Sequence, residues 1–254
     1  MAFLRFCLSL LTFAAISNSM RYRCDRELTS CGCGYQDADN LARIINGQDA
    51  RAYSWSMIVS LRSGNPNKHL CGGTILSEYF ILTAAHCISQ EALTNPSTVY
   101  VYAGINYLNE RNAVIRRADQ IHVHANWSGS TSEASNDIAL IHLSRPLDLS
   151  TNPYLSRTCL PRIESSKNYT AYPPNGTLLM AVGWGLIESE SPDKPQVLQQ
   201  ITLDSIHHEH PKCAELIQHP LLQFCSALFQ GIGGKDKSSL KKFIRCILSR
   251  GLYR

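Results

Sequence analysis

The segment Thr83-Ala-Ala-His86-Cys87 follows the strand-like run Tyr79–Thr83 and comes shortly after Cys71-Gly-Gly-Thr74. A single histidine is usually structural. Here, however, Cys71 and Cys87 could form a disulfide that clamps the loop presenting His86. The preceding run is short and rich in β-formers, which is typical of a strand. The segment therefore indicates a histidine held at the end of a β-strand.

Outward from this segment, similar short β-rich runs alternate with Gly, Pro, Asn and Ser clusters. With 254 residues, 44% of them hydrophobic and 17% charged, the chain is long and apolar enough for one large all-β domain and too apolar for disorder. Many short strands at this spacing favour a β-sandwich or a barrel. The runs are Ser56–Leu61, Thr74–Leu76, Tyr79–Thr83, Val99–Ala103, Ile138–Leu143 and Leu178–Val182.

Asp137 precedes an apolar run in Ser135-Asn-Asp137-Ile-Ala-Leu140. A lone aspartate there is usually a turn residue or a cap. A buried aspartate beside an oriented His86 would instead form two thirds of an acyl-transfer triad. In such a triad the histidine is the general base, and the aspartate fixes its tautomer and stabilises the imidazolium.

The N-terminus is typical of a secretory signal. Arg5 precedes an apolar stretch, and the small residues Ser17 and Ser19 fit a cut after position 19. A membrane anchor is the alternative, but the stretch is too short to span about 30 Å of hydrocarbon. We expect a signal peptide over 1–19, a pro-segment over 20–43, and secretion.

Cysteines and sequons agree with secretion. The chain has ten cysteines, and the loss of Cys7 with the signal leaves an odd number in a density that favours an oxidising compartment. Three Asn-x-Ser/Thr patterns predict glycosylation, at Asn126, Asn168 and Asn175. By contrast, the run His207-His208-Glu209-His210 is interpreted as an exposed loop rather than a metal site.

The basic charge of the chain belongs to its last residues. Residues 237–254 hold six Lys or Arg and no acid, so the remaining 18 basic and 20 acidic residues turn a net charge of +4 into −2. No nucleic-acid partner is expected. Apolar residues at helical spacing predict a basic amphipathic helix that contacts anionic membranes or a partner groove. A shifted frame, a retained intron or an alternative exon is the other interpretation of this tail.

Seven motifs, in their order and spacing, resemble the chymotrypsin/trypsin family of serine proteases over residues 44–236. They are Arg43-Ile44-Ile45-Asn46-Gly47, Cys71-Gly-Gly-Thr74, Thr83-Ala-Ala-His86-Cys87, Asn136-Asp137-Ile-Ala-Leu140, Cys159-Leu-Pro161, Gly183-Trp184-Gly185 and Gln223-Phe-Cys225. The resemblance implies an all-β, trypsin-like double six-stranded β-barrel, with the first barrel complete and the second incomplete. It implies a serine endopeptidase without cofactor or metal, whose partners are protein or peptide substrates and protease inhibitors.

The resemblance also implies roles for single residues. His86 is then the general base and Asp137 its orienting carboxylate. An activating trypsin-like protease would cut between Arg43 and Ile44. Asp236 would lie at the bottom of the specificity pocket and select Arg or Lys, because a buried carboxylate requires a cationic partner.

The same family implies the disulfide pattern. Cys71 would pair with Cys87, and Cys213 with Cys225. One of Cys31 or Cys33 would tie the pro-segment to Cys159. Cys33 is the expected choice, and Cys24 would then pair with Cys31.

The family pattern breaks after Asp236. The family continues with a Cys and Gly-Asp-Ser-Gly-Gly-Pro, whereas residues 237–254 contain no Gly-Asp-Ser-Gly, and the motif occurs nowhere in the chain. The nucleophile, the oxyanion-hole donors and the partner of the Ile44 amine are lost together. Ser238 and Ser239 lack the Gly-rich turn and are interpreted as turn residues or a helix cap.

Three functions follow from this departure. The first is a zymogen of a secreted trypsin-like endopeptidase that is inactive in this form. The second is a non-catalytic homologue that binds substrates or inhibitors as a decoy. The third is a membrane-active or interaction protein driven by the tail.

Overall fold

The computed structural model describes residues 20–40, 47–64, 68–129, 135–160, 173–185, 195–215, 217, 223–228 and 244–246. Strands dominate this part of the chain, and its helices are a single turn or little more. The strands are β1 Met20–Tyr22, β2 Ala38–Asn40, β3 Gln48–Asp49, β4 Ile58–Ser63, β5 His69–Ile75, β6 Phe80–Thr83, β7 Val99–Ala103, β8 Val114–Val123, β9 Ala139–Leu143, β10 Leu178–Gly183, β11 Gln199–Ile206, β12 Phe224–Leu228 and β13 Ile244–Cys246. The helices are α1 Gln90–Thr94, α2 Pro211–Ala214 and the 3-10 turns Ala85–Cys87 and Pro96–Thr98.

Six strands close into a barrel in the order β4-β5-β6-β9-β8-β7. Alternation explains this closure, because every second side chain of β7 and of β9 is buried while those between them are half-buried. Fully burying one Ile or Leu stabilises the fold by about 1.5–3 kcal/mol. Closure leaves no strand edge unpaired, and it confirms the complete first barrel.

Gly73 explains the Gly-Gly pair in β5. A Cβ at Gly73 would lie 2.9 Å from Cγ2 of Ile81 and 3.1 Å from Cγ2 of Val59. The first distance is shorter than carbon atoms tolerate in a close-packed interior, and the second would require Val59 to shift. The glycine therefore lets β5 pass close to its neighbours, and it does so one strand away from the His86 loop.

The second sheet has the order β10-β11-β12-β13, and β3 pairs with one end of β11. Unlike the first sheet, it does not close within the described residues. Trp184 lies between the two halves of the molecule with 1% exposure, packed with Leu198 and Ile105. The mostly β architecture, with one closed barrel and a second sheet, is that of the trypsin-like fold.

The tail forms a strand where a helix was predicted. The backbone of Ile244–Cys246 pairs antiparallel with Phe224–Ser226 of β12, so the helix prediction is wrong for these residues. The physical reason is that β11 covers only one side of β12. An added strand on the other side forms hydrogen bonds with the backbone N–H and C=O groups that would otherwise have no partner strand. A short isolated helix is marginal in water by comparison. The rest of the tail lies outside the described residues.

The N-terminal segment is tied to the barrel by a disulfide pattern that differs from our expectation. Cys31, not Cys33, is joined to Cys159, with S–S 2.07 Å, and Cys33 is joined to Cys24. The backbone gives the reason, because the N–H of Gly32 donates to the carbonyl of Arg157 at 2.7 Å. That bond sets Cys31 beside Cys159, with a Cα–Cα distance of 5.1 Å.

Close packing adds to this tether. The backbone at Gly34 runs so near Ser54 that a Cβ would lie 2.1 Å from its carbonyl oxygen. Arg26 donates to the carbonyl oxygens of Pro153 and Leu155 at 2.7 and 3.0 Å. The segment is therefore docked on the barrel at Arg26 and Gly34 as well as at its sulfur atoms.

Candidate active site

His86 lies in the 3-10 turn Ala85–Cys87, immediately after β6. Two interactions hold this turn. The hydroxyl of Thr83 donates to the carbonyl of Gly72 at 2.9 Å, and a disulfide joins Cys87 to Cys71, with S–S 2.04 Å. The loop is thus fixed to β5 on both sides of the histidine.

Asp137 lies just before β9, which begins at Ala139, in an equally defined backbone. Asn136 has φ 56°, a left-handed conformation that asparagine adopts more readily than most residues. Its carbonyl accepts the N–H of Ile138 at 2.8 Å. The antiparallel register sets Thr83 opposite Ala139, so the end of β6 and the beginning of β9 meet at one end of the barrel.

The two side chains contact each other directly. Nδ1 of His86 lies 2.6 Å from Oδ2 of Asp137, and the backbone N–H of His86 donates to Oδ1 at 2.8 Å. The aspartate side chain is 1% exposed and the histidine side chain 44% exposed. Both oxygens of the Asp137 carboxylate therefore accept hydrogen bonds from His86, one from the ring and one from the backbone. This arrangement favours the tautomer with the proton on Nδ1 and directs Nε2 outward.

A metal is the alternative occupant of this corner. Ligand atoms of Cys71, His86 and Cys87 lie within 4.8 Å of one another. The two sulfur atoms are bonded to each other, and a metal requires thiolates. Of the described residues, no other group brings three such atoms together, and the His207–His210 run does not.

The site geometry is that of the base and carboxylate of a serine-protease triad. The sequence profile of the Trypsin family matches residues 44–231, more than half of the chain. The chain belongs to the trypsin family.

Two of the relatives to which this trypsin-family chain is similar are named as transmembrane proteases. It is 31% identical over 194 residues to Transmembrane protease serine 9 of Rattus norvegicus, covering 75% of this chain and 17% of that protein. It is 33% identical over 158 residues to Transmembrane protease serine 11C of Mus musculus, covering 62% and 33%. Chymotrypsin-C of Bos taurus is 34% identical over 176 residues, covering 67% and 60%. The chain spans less than two thirds of the length of each relative.

The trypsin-family site residues predicted from sequence fall into two groups. His86 and Asp137 are brought together, and Cys213 is joined to Cys225. Asn126 and Asn175 are exposed. The signal sequence, the Arg43–Ile44 junction, Asn168, Asp236 and Ser238–Ser239 lie outside the described residues. No described helix of this trypsin-family chain has both the length and the apolar character that crossing a bilayer needs.

A second histidine–aspartate pair escaped the sequence reasoning. Nδ1 of His142 lies 2.6 Å from Oδ1 of Asp119 on the outer face of the trypsin-family barrel. Asp119 occurs where the β8–β9 register shifts between Ala118 and Gln120, and an irregularity of this kind redirects a side chain. Only the strand pairing reveals this contact, because neither residue lies in a recognisable motif.

Proposed function

We propose that this chain is a form of a secreted trypsin-like serine endopeptidase zymogen and that this form does not hydrolyse peptide bonds. The observation that carries the family chemistry is the His86–Asp137 pair at 2.6 Å. The inactivity rests on the sequence, whose 254 residues contain no Gly-Asp-Ser-Gly. A correctly oriented base has then no serine oxygen to activate.

Further features support the zymogen. Cleavage between Arg43 and Ile44 would leave the N-terminal segment attached through Cys31–Cys159. The four disulfides among the described residues suit an oxidising, extracellular compartment. Asn126 and Asn175 are exposed, as glycan acceptors must be. Asp236 would give preference for Arg and Lys once the missing pocket walls are supplied.

A non-catalytic homologue is the second candidate. The observation that favours it is the pairing of β13 with β12, because this chain satisfies one sheet edge with its own tail. A folded barrel that presents His86 without a nucleophile would bind protease substrates or inhibitors without cleaving them.

Contact of the tail with anionic membranes now rests on the six Lys and Arg residues of 237–254 alone, since a strand replaces the predicted helix at Ile244–Cys246.

The decisive experiment is turnover of Arg and Lys amides by purified, Arg43-cleaved chain. We expect no rate above that of buffer. In a related triad, loss of the nucleophile alone costs about 10⁶ in turnover, and the oxyanion hole supplies the residual rate. Joining the family's Gly-Asp-Ser-Gly segment and following strands after Asp236 should restore cleavage, and His86→Ala should abolish it again. Amide turnover by the 254-residue chain that disappears with His86→Ala would show that it contains a nucleophile after all.

A further inference from the structure

His86 presents an unengaged nitrogen to solvent. Its Nδ1 is taken by Asp137 at 2.6 Å, and 44% of its side chain is exposed. No residue in the described part of the chain forms a hydrogen bond with Nε2. A neutral imidazole with its proton fixed on Nδ1 carries a free lone pair on Nε2. The ring therefore has the electronic form of a nucleophile as well as that of a base.

We propose that Nε2 of His86 is itself acylated by activated acyl donors, meaning esters whose leaving group is a phenolate or another weakly basic anion. This gives the chain a weak aryl esterase activity and one preferred histidine for acyl modification. The activity is distinct from serine-dependent peptide hydrolysis and requires no residue beyond the described pair.

The step balances without a co-reactant other than water. The Nε2 lone pair attacks the acyl carbon, and the tetrahedral adduct expels the aryloxide, which leaves an N-acylimidazolium. The Nδ1 proton remains shared with Asp137, whose negative charge offsets the positive ring. Water then attacks the acyl carbon, and both of its protons pass to solvent, one from the adduct and one from the carboxylic acid that forms. The C–Nε2 bond breaks, and the carboxylate and the neutral histidine are released.

Leaving-group chemistry restricts the substrate class. An adduct with imidazole expels whichever group leaves more easily, and imidazole leaves before an alkoxide or an amide nitrogen. Alkyl esters and peptides therefore return to reactants. His86 is accordingly expected to act on aryl acetates while the chain leaves Arg and Lys amides intact.

The second histidine–aspartate pair provides a matched internal control. His142 and Asp119 also approach to 2.6 Å, but the Asp119 side chain is 43% exposed and the His142 side chain only 26% exposed. The His142 ring also contacts the rings of Tyr79 and Phe80, at centroid distances of 5.5 and 5.0 Å. The exposed Asp119 carboxylate is hydrated and therefore stabilises a positive charge on the His142 ring less well. The covered His142 ring is also less accessible to an acyl donor than the His86 ring.

The experiment compares the full oxidised chain with His86→Ala and His142→Ala, using 4-nitrophenyl acetate and diethyl pyrocarbonate. His86→Ala should remove most of the 4-nitrophenolate release that the chain adds over buffer, and His142→Ala should leave that release unchanged. Diethyl pyrocarbonate forms a stable adduct, so peptide mapping at low reagent should find the carbethoxyl group on His86 before any other histidine. Asp137→Asn should slow both reactions because the ring loses the negative charge that supports its cationic intermediate.

Equal loss in the two alanine variants, or labelling that is uniform across the histidines, would overturn the proposal. Both variants replace side chains that are partly solvent-exposed, and a retained disulfide map shows that they fold. The Arg and Lys amides are assayed in the same preparations. Turnover of amides contradicts the proposed inactivity, whereas failure to acylate His86 contradicts only this inference.

Discussion

At the scale of single residues, Tyr53 forms a side-chain contact from an uncommon backbone conformation. It has φ 56°, and its hydroxyl donates to Oε1 of Glu110. Oε2 of Glu110 accepts the N–H groups of Asn106 and Tyr107 at 2.7 and 3.2 Å. One carboxylate thus joins the segment before β4 to the turn after β7.

Tyr53 should make the fold sensitive to alkali. The hydrogen bond to Glu110, with burial and the negative charge of Glu110, raises the pKa of Tyr53 from 10.0 to about 12. Between these pH values the native state keeps a proton that the unfolded chain has lost, so the free energy of unfolding falls as pH rises through that window. Below it this group has no pH effect.

The difference in tyrosinate absorbance between the wild type and Tyr53→Phe isolates this titration and should show a midpoint near 12. Glu110→Gln should move that midpoint downward. Urea unfolding of Tyr53→Phe should lose stability less steeply between pH 10 and 12 than the wild type does. A midpoint near 10 in the folded wild type would contradict the contact.

Residue patterns predicted some contacts and not others. His86 and Asp137 were predictable because each stands at a strand end in a motif whose residue types serve the chemistry. The pair His142–Asp119 was not, because neither residue lies in a recognisable motif and the two meet only through a register shift between β8 and β9. The choice between Cys31 and Cys33 was equally invisible, since it depends on the Gly32–Arg157 hydrogen bond.

At the scale of elements, the N-terminal segment packs on the first barrel and is attached to it by a disulfide. Its attachment has one covalent point on the barrel, Cys31–Cys159, whereas Cys24–Cys33 closes a loop within the segment. After cleavage at Arg43, only the first of these bonds can hold the two chains together.

Cys31→Ser should therefore release the N-terminal peptide after Arg43 cleavage under denaturing, non-reducing conditions. The double variant Cys24→Ser with Cys33→Ser should retain it, because the Cys31–Cys159 bond is unaffected. Non-reducing electrophoresis with N-terminal sequencing of the bands measures the outcome. Release from the double variant together with retention in Cys31→Ser would restore Cys33 as the tether.

The tail shows why an amphipathic pattern is weak evidence over a short window. The apolar residues around Ile244 fit a helical period, but the same residues include β-branched side chains suited to a strand. The deciding factor is tertiary, because β12 offers an unpaired edge. No local pattern in residues 237–254 contains that information.

At the scale of the whole molecule, the two halves differ in how they are closed. The first barrel has every strand paired on both sides and a continuous buried core. The second sheet is an open path whose described end is the three-residue strand β13. Cooperative units with fewer buried contacts and exposed strand edges open at lower free energy.

We therefore predict two levels of protection in native-state hydrogen exchange. Amides of β7 and β9 should exchange only with global unfolding, and those of β10 and β12 should exchange faster, through local opening of the second sheet. A chain ending at Asp236 removes β13, so the amides of Phe224–Ser226 that lose their cross-strand partner should exchange faster still, while β7 and β9 keep their rates. Mass spectrometry of both chains in increasing denaturant measures this. Equal protection in the two halves, or a truncation that accelerates the barrel as much as β12, would mean that the open sheet and the closed barrel unfold as one unit.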